Sequence, residues 1–228
     1  YIGGLTGKLK RKGEGKMSRF NFGFNDKKEK KKVIKAVNNY FKKKNLIKTW
    51  KRKKDWVHYA GPYFDTEEYE AMTETMLNEW LVFGKSGEKF EERFSKELGC
   101  KYGVMVNSGS SANLLMLASL AFGKNRLPKG SKIITPVSGF ATTVAPIIQL
   151  GFRPVFIDIE LDTMNIDLDK LEDYLKNERD MVPARERSKA IILAHVLGNP
   201  PDMERLMNIV GKYNLILLED CCDALGTK

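Results

Sequence analysis

Three short stretches of the chain carry residue types able to do chemistry. In "LILLEDCCDALGTK", Leu215 to Lys228, four apolar residues run straight into Glu219 and Asp220. A carboxylate at the mouth of a buried strand is costly unless it meets a cation or several donors. A protonated aromatic nitrogen would be such a partner, through a charge-assisted hydrogen bond of roughly 1.5–3 kcal/mol. A salt bridge to a helix lysine, or capping of the next helix, would answer the same need. In "VNSGSSAN", Val106 to Asn113, a glycine and small hydroxyl residues open a helix whose unpaired N–H groups and dipole favour an anion such as phosphate. The same letters also describe an ordinary serine cap with a glycine for the turn. In "TPVSGFATTV", Thr135 to Val144, Phe140 opens a helix after a different strand, where an aromatic either covers a flat ring or joins the core.

These stretches need a scaffold that brings them together. From about Asp65 the chain reads as a helix, "DTEEYEAMTETMLNEWLVFG", with Asp65 or Thr66 as cap and Gly84 beyond its end. A second helix, "GEKFEERFSKELG", closes at Gly99. Apolar runs then alternate with helical stretches. "YGVMVN" precedes "SSANLLMLASLAF", "SKIITP" precedes "ATTVAPIIQLG", "RPVFIDI" precedes "DLDKLEDYLKN", "KAIILAHVLG" precedes "PDMERLMNIVGKY", and "LILLED" comes last. Five strand candidates separated by four helices predict an α/β fold, a mostly parallel sheet covered on both faces. Such sheets bind ligands beyond the carboxyl ends of their strands. That rule directs attention to Asn107–Ser111, Thr135–Phe140, Asp158, His195–Asn199 and Glu219–Asp223.

A chain of 228 residues, 42% hydrophobic and with 8 prolines, is long enough for a sizeable core and reads as one domain with an appendage. No apolar run reaches the length of a membrane helix and no signal-peptide pattern opens the chain, so a soluble, cytoplasmic protein is expected. Cys100, Cys221 and Cys222 make neither an even disulfide framework nor a spaced metal quartet, and no metal site is expected. The adjacent pair reads as packed small side chains or as a redox couple.

Net charge is +10, but it is unevenly placed. Residues 1–54 hold 20 Lys/Arg against 3 Asp/Glu, whereas residues 55–228 hold 19 against 26. In the basic part Val33, Ile34, Val37, Tyr40 and Phe41 recur at helical spacing, predicting a one-sided helix with a solvated lysine face. Such a face could instead hold nucleic acid or an anionic surface. No nucleic-acid module accompanies it, so neither partner is expected. Residues 1–16 lack periodicity and read as a leader or upstream read-through with Met17 as natural start. Residues 17–84 then form a helical arm, and residues 85–228 the main domain.

Taken together, "WLVFGKSGEKFEERFSKELG", "VNSGSSANLL", "GFATTVAPIIQLGFRPVFIDIELDTMNID", "AHVLGNPPDME" and "LLEDCCDALG" resemble the DegT/DnrJ/EryC1/StrS-type superfamily of pyridoxal-phosphate sugar aminotransferases and dehydratases, from about His58 to Lys228. "HYAG", "NSGSSANLL", "HVLGNP" and "EDCCDALG" resemble the branch that removes the 3-hydroxyl of CDP-4-keto-6-deoxyhexoses in lipopolysaccharide biosynthesis. The resemblance implies the aspartate-aminotransferase type of fold, with a small C-terminal domain further along. It also implies pyridoxal or pyridoxamine phosphate as cofactor, a nucleotide-sugar substrate, a homodimer and, for a dehydratase, a reductase partner. Gly109, Ser110 and Ser111 would hold the phosphate, Phe140 would stack on the ring, and Asp220 would pair with its nitrogen. Cys222 would lie near the opposite ring face, Asp223 near the phenolic oxygen or substrate, and His195 below the ring unless it is a hydrogen-bonded core histidine. Where aminotransferases tend to carry Gln or His, this chain has Asp223.

The lysine or histidine base of that superfamily lies a few tens of positions beyond the aspartate, and Lys228 is too close to Asp220 to take its place. No catalytic base is therefore expected within this chain, and the iron–sulfur cysteines of some dehydratases would also lie beyond it. An aminotransferase of the same fold is the alternative. A basic-armed polyanion-binding protein with a decayed pocket is the alternative from another class.

Overall fold

The computed structural model describes residues 26–47, 50–57, 61, 64–78, 82–124 and 126–227. The expected leader, Met17, most of "HYAG" and Lys228 lie outside the described residues. The chain divides into two compact units between Gly103 and Val104.

The first unit is helical. Helix α1 spans Asp26–Ile47, α2 Thr66–Leu77 and α3 Lys85–Glu97. Ile34, Val37 and Phe41 of α1 are half-buried, while Val33 and Tyr40 are 42% and 61% exposed, so the apolar stripe is narrower than its spacing suggests. Phe41 stacks face to face on Tyr69 of α2, and Asn38 Nδ2 donates to Glu70 Oε2 at 2.8 Å. Asp65 caps α2 through a reciprocal capping box with Glu68. Gly84 becomes the N-cap of α3, and Gly99, at φ +66°, closes α3 in the left-handed conformation that glycine tolerates.

The second unit is a parallel α/β layer. Strands β1 (Lys132–Pro136), β2 (Arg153–Ile157), β3 (Ala190–Ala194) and β4 (Ile216–Asp220) lie in the order β2-β1-β3-β4. All three pairings are parallel. Helices α4 (Gly109–Phe122), α5 (Ala141–Gln149), α6 (Leu168–Met181) and α7 (Met203–Tyr213) follow the predicted alternation. Side chains of a strand alternate between faces, and the core divides accordingly. Ile133, Ala190 and Ile192 pack with Leu117 and Leu120 of α4 and Ile147 of α5. Ile134, Ile191 and Leu193 pack with Leu171 and Leu175 of α6 and Leu206, Ile209 and Val210 of α7. Each of the Ile, Leu and Val side chains among these contributes about 1.5–3 kcal/mol by leaving water.

One expected strand is corrected. "YGVMVN" joins no strand ladder among the described residues, leaving four strands rather than five. Its apolar letters are strand-like, but a strand exists only where a neighbour takes up its N–H and C=O groups. Among the described residues β4, the edge strand nearest to α4, pairs with β3 alone.

The connection leaving β1 runs outward to β2, and the one leaving β3 runs the other way to β4. The order therefore reverses between β1 and β3, and the crevice outside their carboxyl ends is where open α/β sheets receive ligands.

Candidate functional site

Asp220, the last residue of β4, is 8% exposed. Its carboxylate is held by three neutral donors. Asn113 Nδ2, from α4, and Thr143 Oγ1, from α5, each donate to Oδ2 at 2.7 Å. The Cys222 backbone N–H donates to Oδ1 at 3.2 Å. These partners are amide, hydroxyl and main chain, not a helix lysine, and Oδ1 keeps acceptor capacity for a further donor.

The start of α4 sits on the same loop. Ser108 is its N-cap, with its Oγ accepting the Ser111 N–H at 3.2 Å. The Ser111 hydroxyl donates to Asn107 Oδ1 at 2.6 Å. Helix geometry leaves the Gly109 and Ser110 N–H groups without an intrahelical acceptor, which makes this turn able to hold an anion. A Cβ on Gly109 would stand 3.2 Å from Cys222 Sγ, so the glycine permits the close approach of the two loops. With a rise of about 1.5 Å per residue, the first-turn amides lie roughly 5–6 Å along the helix from Asn113, which itself touches Asp220.

Phe140 occupies the N-cap position of α5 and is 70% exposed, which removes its reading as core. Three residues on, Thr143 reaches Asp220, so one helix start presents both an open aromatic face and a grip on the acid. Gly109, Ser110, Phe140, Asp220 and Cys222 thus gather at one end of the sheet, from three connections.

His195 is turned elsewhere. It is 5% exposed, its backbone N–H donates to the Asp220 carbonyl at 3.1 Å, and its Nε2 lies 3.0 Å from Glu219 Oε1. Glu219 alternates with Asp220 along β4, so this pair belongs to the α6/α7 face. His195 Nδ1 is buried without a partner among the described residues. Asp223 is exposed, and its Oδ2 accepts the Leu197 N–H at 3.4 Å. Leu197 sits at φ +57° in the 3₁₀ turn Val196–Gly198, and Thr227 Oγ1 donates to the Gly198 carbonyl at 3.1 Å. His195, Glu219 and Cys221 place one potential metal-ligating atom each within 4.8 Å of one another. Partial desolvation of the exposed Cys221, reinforced by the charges of Glu219 and Asp220, pushes its thiol up, and the imidazole is already engaged by Glu219.

Two residues of this site, Asn113 and Thr143, were not anticipated. The available signal was that Asn113 stands one helical turn after Gly109, on the same face of α4.

The profile described as "DegT/DnrJ/EryC1/StrS aminotransferase family" matches residues 62–228. Over 171 residues the chain is 40% identical to the Lipopolysaccharide biosynthesis protein RfbH of Salmonella typhimurium, covering 74% of this chain and 37% of that protein. It is 38% identical over 168 residues to a GDP-4-keto-6-deoxy-D-mannose 3-dehydratase of Escherichia coli, covering 73% of this chain and 41% of that one. The solved structure of the E. coli GDP-4-keto-6-deoxy-D-mannose-3-dehydratase with bound hydrated PLP is similar at a TM-score of 0.62 and 38% identity, over 70% of this chain and 39% of that chain. The chain thus spans about two fifths of the length of the curated relatives it matches.

Proposed function

The chain belongs to the DegT/DnrJ/EryC1/StrS aminotransferase family, and from that premise we propose that its second unit holds pyridoxal or pyridoxamine phosphate for a nucleotide-sugar 3-dehydratase. The observation that carries this proposal is Asp220, gripped through Oδ2 and with acceptor capacity left at Oδ1 beside the Cys222 N–H, at the same sheet end as the α4 N-terminus and the exposed Phe140. Its residues fit the group. Gly109 and Ser110 would meet the phosphate with their amides, while Ser111 shapes the turn through its bonds to Ser108 and Asn107. Phe140 would cover one ring face, Cys222 would border the other, and Asp220 would pair with the ring nitrogen. Asp223 would face the phenolic oxygen or the substrate. His195, bonded to Glu219, would steady the strand end beneath them.

When bound, the cofactor supplies an electron sink for bonds broken beside it. The chain's own contribution is to orient the ring, to neutralise the charge on its nitrogen through Asp220, and to fix its phosphate. The substrate proposed is a nucleoside-diphosphate 4-keto-6-deoxyhexose, which loses its 3-hydroxyl. The resemblance implied a CDP sugar, whereas the relative named above acts on a GDP sugar. The same proposal includes a homodimer and a separate reductase for net deoxygenation.

Two measurements test it. Titration with pyridoxamine phosphate, followed by fluorescence, should saturate, and Asp220→Ala should abolish the signal; no binding by the unaltered chain would defeat the proposal. Incubation of the full-length protein, which would carry the base expected beyond Asp220, with the cofactor and CDP-, GDP- or dTDP-4-keto-6-deoxyhexose should yield a sugar that has lost its 3-hydroxyl as water, by mass spectrometry. An amino sugar would identify the aminotransferase alternative.

A further inference from the structure

Resting on the cofactor site proposed above, we infer that Asn113 and Thr143 are positioning residues that aim a single oxygen of Asp220 at the ring nitrogen, and that Pro146 holds Asn113 ready to do so. The two carboxylate oxygens are unequal. Oδ2 receives both 2.7 Å bonds, from Asn113 and Thr143, which fill the two acceptor sites of an sp² oxygen. Oδ1 receives only the longer bond from Cys222, at 3.2 Å, and is the oxygen with a free acceptor site. A ring N–H therefore has one address and the carboxylate one rotation.

Asn113 is held in turn by a backbone irregularity. Pro146 lies inside α5 and has no N–H, so the carbonyl four residues earlier, Thr142, loses its helical donor. Asn113 Nδ2 donates to that carbonyl at 3.3 Å as well as to Asp220. Both neighbours are pure acceptors, which orients the amide with its NH₂ toward them. Asn113 and Thr143 are each 2% exposed, so water does not replace either bond. Thr142 and Thr143 directly follow the turn that carries Phe140, and the same clamp sets the ring-covering aromatic relative to the acid. The ligand chemistry selected is a phosphorylated heteroaromatic ring with a protonated nitrogen.

The probes are pyridoxamine phosphate and its carbocyclic isostere, in which the ring nitrogen is replaced by C–H. Affinities of the chain for both are measured by fluorescence titration, with circular dichroism as the control for folding. The unaltered chain should prefer the pyridine compound by about tenfold or more, the scale of one charge-assisted hydrogen bond. Asn113→Ser and Thr143→Val should reduce that preference to about threefold or less while leaving the isostere's affinity within about twofold. Thr143→Ser, which keeps the hydroxyl, should retain the preference, and Pro146→Ala should weaken it in part. Full preference in Asn113→Ser and Thr143→Val overturns the clamp while leaving the cofactor site intact. Absence of preference in the unaltered chain overturns the pairing of Asp220 with the ring, and the clamp with it. Should Asn113→Ser unfold, Thr143→Val against Thr143→Ser decides alone.

Discussion

Asn113 and Asp220 stand 107 residues apart in the chain and meet through a buried hydrogen bond of 2.7 Å. That contact joins the helix that offers free amides to the strand end that offers an acid. The phosphorylated ring proposed for this site would need both at once, and the bond sets their separation.

Exchanging Asp220 for Asn should separate binding from folding. The replacement keeps the shape and leaves Asn113 and Thr143 partners to bond, so the thermal midpoint should fall modestly. Loss of the charge facing a protonated ring should weaken pyridoxamine phosphate by about tenfold or more. A fluorescence titration beside a melting curve reads both, and unchanged affinity would count against the ring-nitrogen pairing.

Phe140 gives the opposite separation of scales. At 70% exposure its removal should change stability by no more than about 0.5 kcal/mol. Ring stacking is worth about 0.5–1.5 kcal/mol, so Phe140→Ala should weaken the cofactor by roughly two- to tenfold. Phe140→Tyr should keep the affinity.

Gly109 and Cys222 should behave as a coupled pair. A methyl group at Gly109 would meet Cys222 Sγ at 3.2 Å, and the neighbouring loop must give way. Gly109→Ala should therefore weaken the cofactor, and adding Cys222→Ala should recover most of the loss. A coupling energy of about 0.5–1 kcal/mol in the double-mutant cycle is expected; additive losses would place the effect elsewhere.

At the opposite end of the sheet, Glu178 of α6 ties three segments together. It accepts from Lys132 Nζ at 2.8 Å, from the Ser188 N–H at 2.8 Å and from the Tyr174 hydroxyl at 3.0 Å. Burial by itself would raise its carboxyl, but these donors outweigh it and hold the group below the usual carboxylate range. A depressed folded-state value means that the stabilisation is present above the ordinary glutamate range and fades as pH falls through the lower, folded one. Glu178→Gln should cost about 2–3 kcal/mol near neutral pH, read from urea midpoints. The gap from the unaltered chain should shrink as pH falls from about 5 toward 3.

Local signals were sufficient for much of this protein. Alternation of apolar runs with helical stretches placed β1 to β4 and α4 to α7, because strand and helix periods are properties of neighbouring residues. Residue types drew attention to Gly109, Phe140 and Asp220, since the roles proposed for them, close backbone approach, ring cover and anchoring acid, each ask for a particular residue. "YGVMVN" carried the same local signal and formed no ladder among the described residues, because a strand depends on what lies beside it. His195 likewise carried two readings in the sequence, below the ring or a hydrogen-bonded core histidine, and its bond to Glu219 depends on the register of β4 beside β3. Only packing of α4 and α5 on one face of the sheet brought Asn113 and Thr143 to one carboxylate oxygen. Contacts across 107 and 77 residues leave no trace in local periodicity, since they arise from how the layers stack.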